Sequence, residues 1–440
     1  MRKKSAPVIE TAFIRDITSE GKGVADTEGK CVFIAGAIKG ETVRFSRRRK
    51  RRNYDEGELI EVMESAPARV EPECEYFGIC GGCSLQHIDA GVQLELKEQS
   101  LLKSLQDIAG LAPTRVLPAV SGPPFAYRRR ARLGIKHVEK KGRVLVGFRE
   151  RGKPYIANML SCKTLSPALQ PLIKDLSDLI GDMQAINRIP QVEVSQGDNA
   201  VSLVFRILDP LTPADREKLE VFERTRNMRV FLQTGGPDTV AALNPQDALA
   251  EMFYELSDQQ LRFEFGPLDF LQVNADVNRQ MIAQALELLR PDPAEKALDL
   301  FCGLGNFSLP LARQVQTVTG VEGDAAMVRR ATANAGLNDV DNASFLTADL
   351  FKPEPEAPWL NSGYDLVLLD PPRAGALEVV QHMERTGARK LLYVSCHPAS
   401  MARDAKILVE EKGYRLEAAG VMDMFPQTGH VESMALFLQD

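Results

Sequence analysis

The sequence predicts an α/β protein whose C-terminal part is a doubly wound parallel sheet, preceded by a small β-barrel and a central α+β domain. After residue 263, short apolar runs alternate with stretches of helical periodicity, as in strands interleaved with helices. Residues 5–65 alternate apolar and polar positions between glycine turns, which is typical of a small barrel. The chain has 440 residues, enough for several domains. The predicted segments are 1–68 (barrel), 69–92 (cysteine loop), 93–262 (central domain) and 263–440 (doubly wound domain).

Composition excludes a membrane protein and a secreted disulfide scaffold. Hydrophobic residues make up 44% and charged residues 26% of the chain, both ordinary for a globular protein. No apolar run approaches a membrane span, and the N-terminus MRKKSAPVIE lacks an apolar signal segment. Seven cysteines without a secretion signal argue against a disulfide framework. We therefore expect a cytoplasmic protein with no membrane partner. We separately expect a monomer.

The barrel segment is basic within an acidic chain. The net charge is −6, but residues 1–70 carry +4 and the remainder −10. Six consecutive basic residues lie between two predicted strands: Arg47, Arg48, Arg49, Lys50, Arg51 and Arg52. Like charges in one loop repel each other unless a polyanion neutralises them. The run predicts RNA binding through the backbone, although a solvated loop or a localisation signal is the alternative.

A cysteine loop follows the barrel. Cys74, Cys80 and Cys83 are spaced C-x5-C-x2-C and flanked by glycines, so three thiolates can surround one soft metal centre. Cys162 is the candidate fourth ligand. Four thiolates suit either a structural zinc or a [4Fe–4S] cluster, and spacing alone does not decide between them.

The central segment contains an amphipathic helix over 92–108 and a second basic stretch. In that stretch Tyr127 is next to four arginines: Arg128, Arg129, Arg130 and Arg132. Basic residues beside an aromatic ring suit an RNA strand, and a solvated sheet face is the alternative. No catalytic cluster is evident from 165 to 262, and residues 261–281 resemble a hairpin that leads into a helix.

The stretch ALDLFCGLGNFSLPLA, residues 297–312, predicts a strand, a glycine turn and a helix. Gly303 and Gly305 lie where the apolar period changes, and glycines there let backbone N–H groups approach a ligand. Glu322 ends the next strand, 19 residues after Gly303, where it can accept hydrogen bonds from ribose. The turn lacks the third glycine of a dinucleotide site, so S-adenosylmethionine fits better than NAD.

Three later strand ends carry reactive residues. Asp370 and Arg373 follow the fourth strand, Cys396 ends the fifth, and Glu432 begins the last. The last two strands, near 414–422 and 431–438, are expected to form an antiparallel edge hairpin. If the last strand is antiparallel, its start borders the same crevice as the other strand ends.

These residues suit methylation of uracil at C5. Thiolate addition to C6 makes C5 a carbanion-like centre that can attack a methyl sulfonium, and a base must then remove the C5 proton. Cys396 and Glu432 supply these two roles, and Asp370 could hold the uracil ring or Arg373, or cap the next helix. An ordinary thiol titrates near pH ~8.5, so we expect neighbouring groups to activate Cys396.

The motifs DLFCGLGNFSL, DPPR at 370–373, SCHP at 395–398 and HVE at 430–432 resemble the RNA 5-methyluridine methyltransferases. The N-terminal barrel is similar to a TRAM domain. The four cysteines resemble the iron–sulfur site of the branch that methylates 23S ribosomal RNA. The resemblance implies a [4Fe–4S] cluster and S-adenosylmethionine as cofactors. It also implies donor contacts at the positions that match the family motifs: Gln272, Phe301, Asn306, Glu322, Asp349 and Asp370.

Other functions compete with this hypothesis. The same chemistry could act on another 23S uridine or on tRNA, and a non-catalytic RNA-binding protein could retain the fold. Enzymes that methylate base amino groups favour an aromatic residue after the D-P-P, where this chain has Arg373. A dehydrogenase is disfavoured by the glycine turn. Loss of methylation on replacing Cys396 separates the first hypothesis from the binding-only one.

Overall fold

The computed structural model describes residues 9–244 and 251–439. Residues 1–8, 245–250 and 440, which belong to the predicted barrel, central and C-terminal segments, lie outside the described residues. The described chain forms two compact units. The first contains 9–100, 149–155 and 425–430, and the second contains 101–148, 156–244, 251–424 and 431–439.

The first unit is built on a six-stranded sheet in the order β1-β5-β6-β4-β3-β2. Its strands are β1 (Ile9–Phe13), β2 (Asp16–Ile17), β3 (Lys22–Thr27), β4 (Lys30–Ala35), β5 (Thr42–Lys50) and β6 (Tyr54–Glu64). β1 pairs with β5 and β2 pairs with β3, both antiparallel. β1 and β2 follow each other along the chain, yet they form the two opposite edges of the sheet. The sheet must therefore curl so that its edges approach each other, as in the expected barrel. Gly57 is required in β6, since a Cβ there would lie 2.8 Å from the buried Phe45 ring.

The basic run does not form the loop that the sequence predicts. Its first four residues continue β5, and Arg47 donates to Glu10 at 2.7 and 2.8 Å and to Asp55. Asp55 is buried and also pairs with Lys30 at 2.6 Å. These hydrogen bonds, that from Lys30 first, lower the pKa of Asp55 to about 2. Arg47 is therefore a structural residue of the barrel, because a buried carboxylate needs a paired cation.

The remaining elements alternate between strands and helices. The strands are β7 (Arg115–Val116), β8 (Arg130–Val138), β9 (Arg143–Gly147), β10 (Gln191–Gln196), β11 (Val201–Arg206), β12 (Arg229–Gln233), β13 (Val240–Ala242), β14 (Met252–Leu256), β15 (Leu261–Phe265), β16 (Lys296–Leu300), β17 (Thr317–Glu322), β18 (Ala343–Thr347), β19 (Leu366–Leu369), β20 (Lys390–Ser395), β21 (Arg415–Met422) and β22 (Glu432–Leu438). The helices are α1 (Ala90–Ser104), α2 (Leu172–Gly181), α3 (Pro213–Arg226), α4 (Ala275–Leu289), α5 (Ser308–Ala312), α6 (Ala325–Leu337), α7 (Leu377–Val380) and α8 (Pro398–Glu410). Short 3₁₀ or π-helical turns span Leu105–Ala109, Glu139–Lys141, Pro237–Thr239, Ser257–Gln259, Pro358–Leu360 and Met383–Thr386.

The second unit contains the predicted doubly wound sheet, in the order β18-β17-β16-β19-β20-β22-β21-β7. β16 pairs parallel with β17 and β19, and β20 continues the parallel set. Strand order reverses direction at β16, so a crevice opens between the ends of β16 and β19. Leu298, Val367 and Leu391 are fully buried, as expected for strands covered by helices on both faces. Each such side chain contributes about 1.5–3 kcal/mol by leaving water.

The edge of this sheet differs from the prediction. β22 does pair antiparallel with both β20 and β21, as the prediction of a terminal hairpin requires. However, β7 adds parallel to β21 and forms the outer edge. A two-residue strand gives no periodicity in the sequence, so only tertiary pairing reveals it.

A second sheet in this unit has the order β13-β12-β11-β10-β8-β9 and corresponds to the predicted central α+β region. The hairpin expected within 261–281 begins earlier, because β15 pairs with the upstream strand β14. The helix expected to follow it is α4. Within 9–244 and 251–439, no helix combines the length and apolar character needed to cross a membrane.

Candidate active site

The turn after β16 is shaped by residues with positive φ. Phe301, Gly303 and Gly305 have φ of 64°, 55° and 93°. Phe301 N–H donates to the Val321 carbonyl at 2.9 Å, which holds the turn against β17. Left-handed backbone at Phe301 is costly for a residue with a side chain, and such strain is concentrated at functional sites.

Glu322, at the end of β17, is fixed toward this turn. Its carboxylate accepts from Gly303 N–H at 3.1 Å and from Asp324 N–H at 3.0 Å. Asp349 lies on the next strand end, is exposed, and accepts from Phe351 N–H at 2.9 Å. The rings of Phe301 and Phe351 are 5.8 Å apart. A carboxylate at one strand end and two rings beside it suit the ribose and the base of a nucleoside.

Asn306 is held by a network that the sequence does not reveal. Its Oδ1 accepts from Tyr254 Oη–H at 2.8 Å and from Asn278 Nδ2–H at 3.1 Å. Its Nδ2 donates to Asn278 Oδ1 at 3.0 Å. One N–H of the Asn306 amide remains for a ligand, and its direction is set by these three bonds.

Two carboxyl groups lie at the ends of adjacent strands. Asp299 is buried in β16, and Asp370 follows β19 and donates its N–H to the Leu300 carbonyl at 3.3 Å. Burial raises the pKa of each to about 7. Ser308 Oγ–H donates to one oxygen of Asp299. Sequence reasoning misses Asp299 as a site residue, although its charge inside an apolar strand is an available signal.

Cys396 lies directly after β20 and Glu432 begins β22. Ser395 and Ser433 are paired across these antiparallel strands, and Ser433 Oγ–H donates to the Ser395 carbonyl at 3.2 Å. Cys396 is therefore next to Glu432, as the antiparallel arrangement predicts. Asp370 and Arg373 also act electrostatically on the thiol.

The expectation that neighbouring groups activate the Cys396 thiol is wrong for the protein without RNA. Burial, followed by the negative charges of Glu432 and Asp370, raises the pKa of Cys396 to about 11. Arg373 lowers it, but by less than these groups raise it. At neutral pH the thiol is protonated, because desolvation and the neighbouring acidic groups disfavour the thiolate.

A buried hydrogen-bond network connects the DPPR loop to α8. Tyr393 Oη–H donates to Asp404 Oδ2 at 2.6 Å, and the same oxygen accepts from Ala376 N–H at 2.8 Å. Ser400 Oγ–H donates to the Arg373 carbonyl at 2.8 Å. The C-terminal part of this loop is thus held by the helix that follows Cys396, which fixes the backbone of Arg373.

The cysteine loop belongs to the first unit. Cys80 is buried, Cys74 and Cys83 are partly exposed, and Arg151 Nη2–H donates to the Cys83 carbonyl at 3.1 Å. Cys162 belongs to the second unit, is buried, and lies 3.2 Å from Thr164 Oγ1. In the described ranges 9–244 and 251–439, no three or more His, Cys, Asp or Glu side chains form a group that could hold a metal ion. Four thiols as a donor set suit iron or zinc in their chemistry.

Comparison with known proteins gives a consistent picture. A family model described as tRNA (Uracil-5-)-methyltransferase matches residues 90–351, and a general methyltransferase-domain model matches 291–421. A protein of Hahella chejuensis named 23S rRNA (uracil(1939)-C(5))-methyltransferase RlmD is 47% identical over 99% of this chain and 98% of its own length. The protein of the same name from Nitrosococcus oceani is 47% identical over 100% and 98%. The chain belongs to the tRNA (uracil-5-)-methyltransferase family.

A solved structure shares the fold of this family member. It is the Pyrococcus abyssi tRNA (uracil-54, C5)-methyltransferase in complex with S-adenosyl-L-homocysteine, with a TM-score of 0.74 and 24% identity. The alignment covers 97% of this chain and 99% of that one. The predicted α/β methyltransferase fold with its doubly wound sheet is confirmed.

The second basic stretch is less exposed than an RNA-binding surface would require. Tyr127 and Arg129 are buried, with 7% and 6% of their surface exposed. Arg130 donates to the carbonyls of Leu268 and Asp269. Arg132 is exposed and pairs with Glu193 at 2.9 Å. Arg129 and Arg130 are therefore engaged within the protein, because their guanidinium groups donate to backbone carbonyls of the segment before α4.

Proposed function

We propose that the protein transfers a methyl group from S-adenosylmethionine to C5 of a uracil in 23S ribosomal RNA, the uracil numbered 1939 in the names of its relatives. The observation that carries the proposal is the placement of Cys396, Glu432 and Asp370 at adjoining strand ends beside the glycine turn. A uracil must leave its stack to reach such a crevice, since C5 and C6 are covered in stacked RNA.

The proposed reaction uses two residues directly. The sulfur of Cys396 forms a bond with C6, and the electron pair of the C5–C6 double bond moves to C5. C5 then bonds to the methyl carbon, whose bond to the donor sulfur breaks with release of S-adenosylhomocysteine. Glu432 takes the C5 proton, the double bond re-forms, and the thiolate of Cys396 leaves.

The thiolate must form in the complex with RNA. In the protein alone the pKa of Cys396 is about 11, so few molecules carry a thiolate at neutral pH. We propose that Asp370 and Arg373 orient the uracil, and that Arg373 supplies the positive charge that favours the thiolate. Gln272, Phe301, Asn306, Glu322 and Asp349 are proposed contacts of the methyl donor.

Labelled methyl transfer tests the proposed function. Unmodified 23S RNA, 16S RNA and tRNA are each incubated with the full-length protein and labelled S-adenosylmethionine, and the products are digested to nucleosides and mapped. Label in 5-methyluridine at one 23S position supports the proposal. Label only in tRNA would support the proposed reaction but contradict 23S RNA as the substrate. Absence of label from all three RNAs would contradict the proposed function.

We also propose that Cys74, Cys80, Cys83 and Cys162 bind a [4Fe–4S] cluster. Three thiols on one loop and the guanidinium of Arg151 beside that loop suit a negatively charged thiolate cluster. When bound, the cluster would hold the cysteine loop in one conformation, and no step of methyl transfer passes through it.

Removal of a ligand is expected to remove iron. Cys80→Ser, prepared without oxygen, should lose most of its iron and acid-labile sulfide, whereas Cys31→Ser in β4 should retain both. Chemical analysis of iron and sulfide checks this. Unchanged iron content in Cys80→Ser contradicts the proposed ligand, and zinc in place of iron contradicts the cluster.

The barrel is proposed to be a TRAM domain that binds the RNA backbone. Within the described chain Arg49, Lys50 and Arg52 are exposed and make no ion pair, unlike Arg47. A plot of the logarithm of RNA affinity against the logarithm of salt concentration has a slope to which each phosphate contact contributes close to one. Changing these three residues to Gln should therefore make this slope shallower by about 2–3.

Binding titrations at several salt concentrations measure this slope. Arg224→Gln, at an exposed position of α3, is the control and should leave the slope unchanged. Arg47→Gln should instead lower thermal stability, since it leaves buried Asp55 with one cation fewer. An unchanged slope for the triple variant would assign the basic run to solvent.

A further inference from the structure

Arg129 is a buried cation without an anion in the described chain. Its Nε–H donates to the Gln272 carbonyl at 2.8 Å, and its guanidinium carbon lies 4.9 Å from the centre of the Tyr254 ring. Its Nη2 is buried and has no hydrogen-bond partner within 9–244 and 251–439. Arg129 is 6% exposed as a residue, and a buried guanidinium without a counter-ion among the described residues is costly unless a ligand supplies one.

The nearest acidic residues are engaged elsewhere. Asp198 and Asp276 act on Arg129 only at long range, and neither is within ion-pair distance of it in the described residues. Asp198 accepts from Glu255 N–H at 2.8 Å, and Asp276 pairs with Arg279. The part of the chain that the structure describes therefore does not neutralise the guanidinium.

A second unpaired donor lies on the adjoining segment. Asn274 is 1% exposed and caps α4, where its Oδ1 accepts from Val277 N–H at 3.3 Å. Its Nδ2 is buried and lacks a partner among the described residues. The backbone segments around Arg129 and Asn274 are hydrogen-bonded to each other. Arg129 N–H donates to the Val273 carbonyl at 2.9 Å, and Asn274 forms an isolated antiparallel β-bridge with Arg128. The positive end of a 15-residue helix adds to this site, so its potential favours an anion.

The neighbours of these donors indicate which anion binds. Gln272 precedes Asn274 by two residues, and Tyr254, beneath the guanidinium, hydrogen-bonds Asn306. Gln272 and Asn306 are both proposed contacts of the methyl donor. Because Arg129 has so little exposed surface, a small ligand suits it better than a polymer backbone does. S-adenosylmethionine has one anionic group, the α-carboxylate of its amino-acid part.

We propose that Arg129 Nη2 and Asn274 Nδ2 bind the α-carboxylate of the methyl donor. The inference rests on the proposed function and assigns to Arg129 a role in donor binding rather than in RNA binding. A carboxylate can accept from both donors at once, and charge-assisted bonds of this kind are the stronger class of hydrogen bond. The pair would distinguish donors with the carboxylate from those without it.

Calorimetry with two ligands tests this assignment. S-adenosylhomocysteine carries the carboxylate, and its decarboxylated analogue keeps the amine but lacks that group. The unaltered protein should bind the first about 10- to 100-fold more tightly. Arg129→Met should remove most of this ratio, and Asn274→Ser, which keeps a capping oxygen, should reduce it less. Arg132→Met, at an exposed position three residues further along the chain in β8, is the control and should keep the ratio.

The ratio separates ligand binding from a structural role. Loss of the bond from Arg129 Nε to Gln272 would weaken both ligands equally, so an equal loss overturns the inference. An unchanged ratio in both variants also overturns it, as does weaker RNA binding with unchanged ligand binding, which would assign the site to phosphate. If Arg129→Met does not fold, as judged by thermal unfolding, Asn274→Ser carries the same comparison. Failure of the unaltered protein to bind either ligand would overturn the proposed function itself.

Discussion

Replacing Cys396 by alanine is expected to abolish methyl transfer while leaving RNA affinity unchanged. The variant removes the sulfur that adds to C6, and without this addition C5 is too weak a nucleophile to take the methyl group. The loss should be at least about 10³-fold, the scale of removing a covalent nucleophile in other enzymes. Transfer of labelled methyl groups to unmodified 23S RNA measures the effect, and filter binding measures RNA affinity.

A second cysteine gives the matched control. Cys31→Ala changes a partly buried thiol of β4 in the barrel and should keep full activity. If Cys396→Ala retained a tenth or more of the activity, the covalent route would be wrong. If it lost RNA binding in parallel with activity, Cys396 would belong to the binding surface and not to the reaction.

Replacing Glu432 by glutamine is expected to slow turnover about 10²- to 10⁴-fold and to trap the RNA on the protein. Addition to C6 and methyl transfer precede proton removal, so both steps can still occur. Without the base, the C5 proton stays and the thiolate cannot leave. Denaturing electrophoresis with labelled donor should show a methylated RNA–protein adduct, and Cys396→Ala/Glu432→Gln should show none.

The same variant should make the thiol more reactive in the absence of RNA. The negative charge of Glu432 contributes to the raised pKa of Cys396, so removing that charge lowers this pKa and increases the thiolate fraction at a fixed pH. Alkylation by iodoacetamide at pH ~8 should therefore be faster in Glu432→Gln than in the unaltered protein. Slower alkylation would contradict the proximity of the two residues, and normal turnover would contradict the role of Glu432 as base.

The pattern of the sequence by itself determined the doubly wound sheet and the set of reactive strand ends. Parallel strands are apolar throughout and helices have a 3.6-residue period, so both leave local signals. The carboxyl ends of parallel strands and the start of an adjoining antiparallel strand meet at one crevice, so the sequence alone groups Cys396 and Asp370 with Glu432. Their order along the chain was sufficient for that inference.

Only the tertiary structure decided properties that depend on burial and on distant partners. Six adjacent basic residues look alike in the sequence, yet Arg47 pairs with buried Asp55 while Arg49 faces solvent. The arginines of the second basic stretch also differ in exposure. Arg132 is exposed, whereas Arg129 is buried and donates to a carbonyl that lies more than 140 residues later in the chain. The raised pKa of Cys396 has the same origin, because desolvation and nearby carboxylates act through space and leave no local pattern.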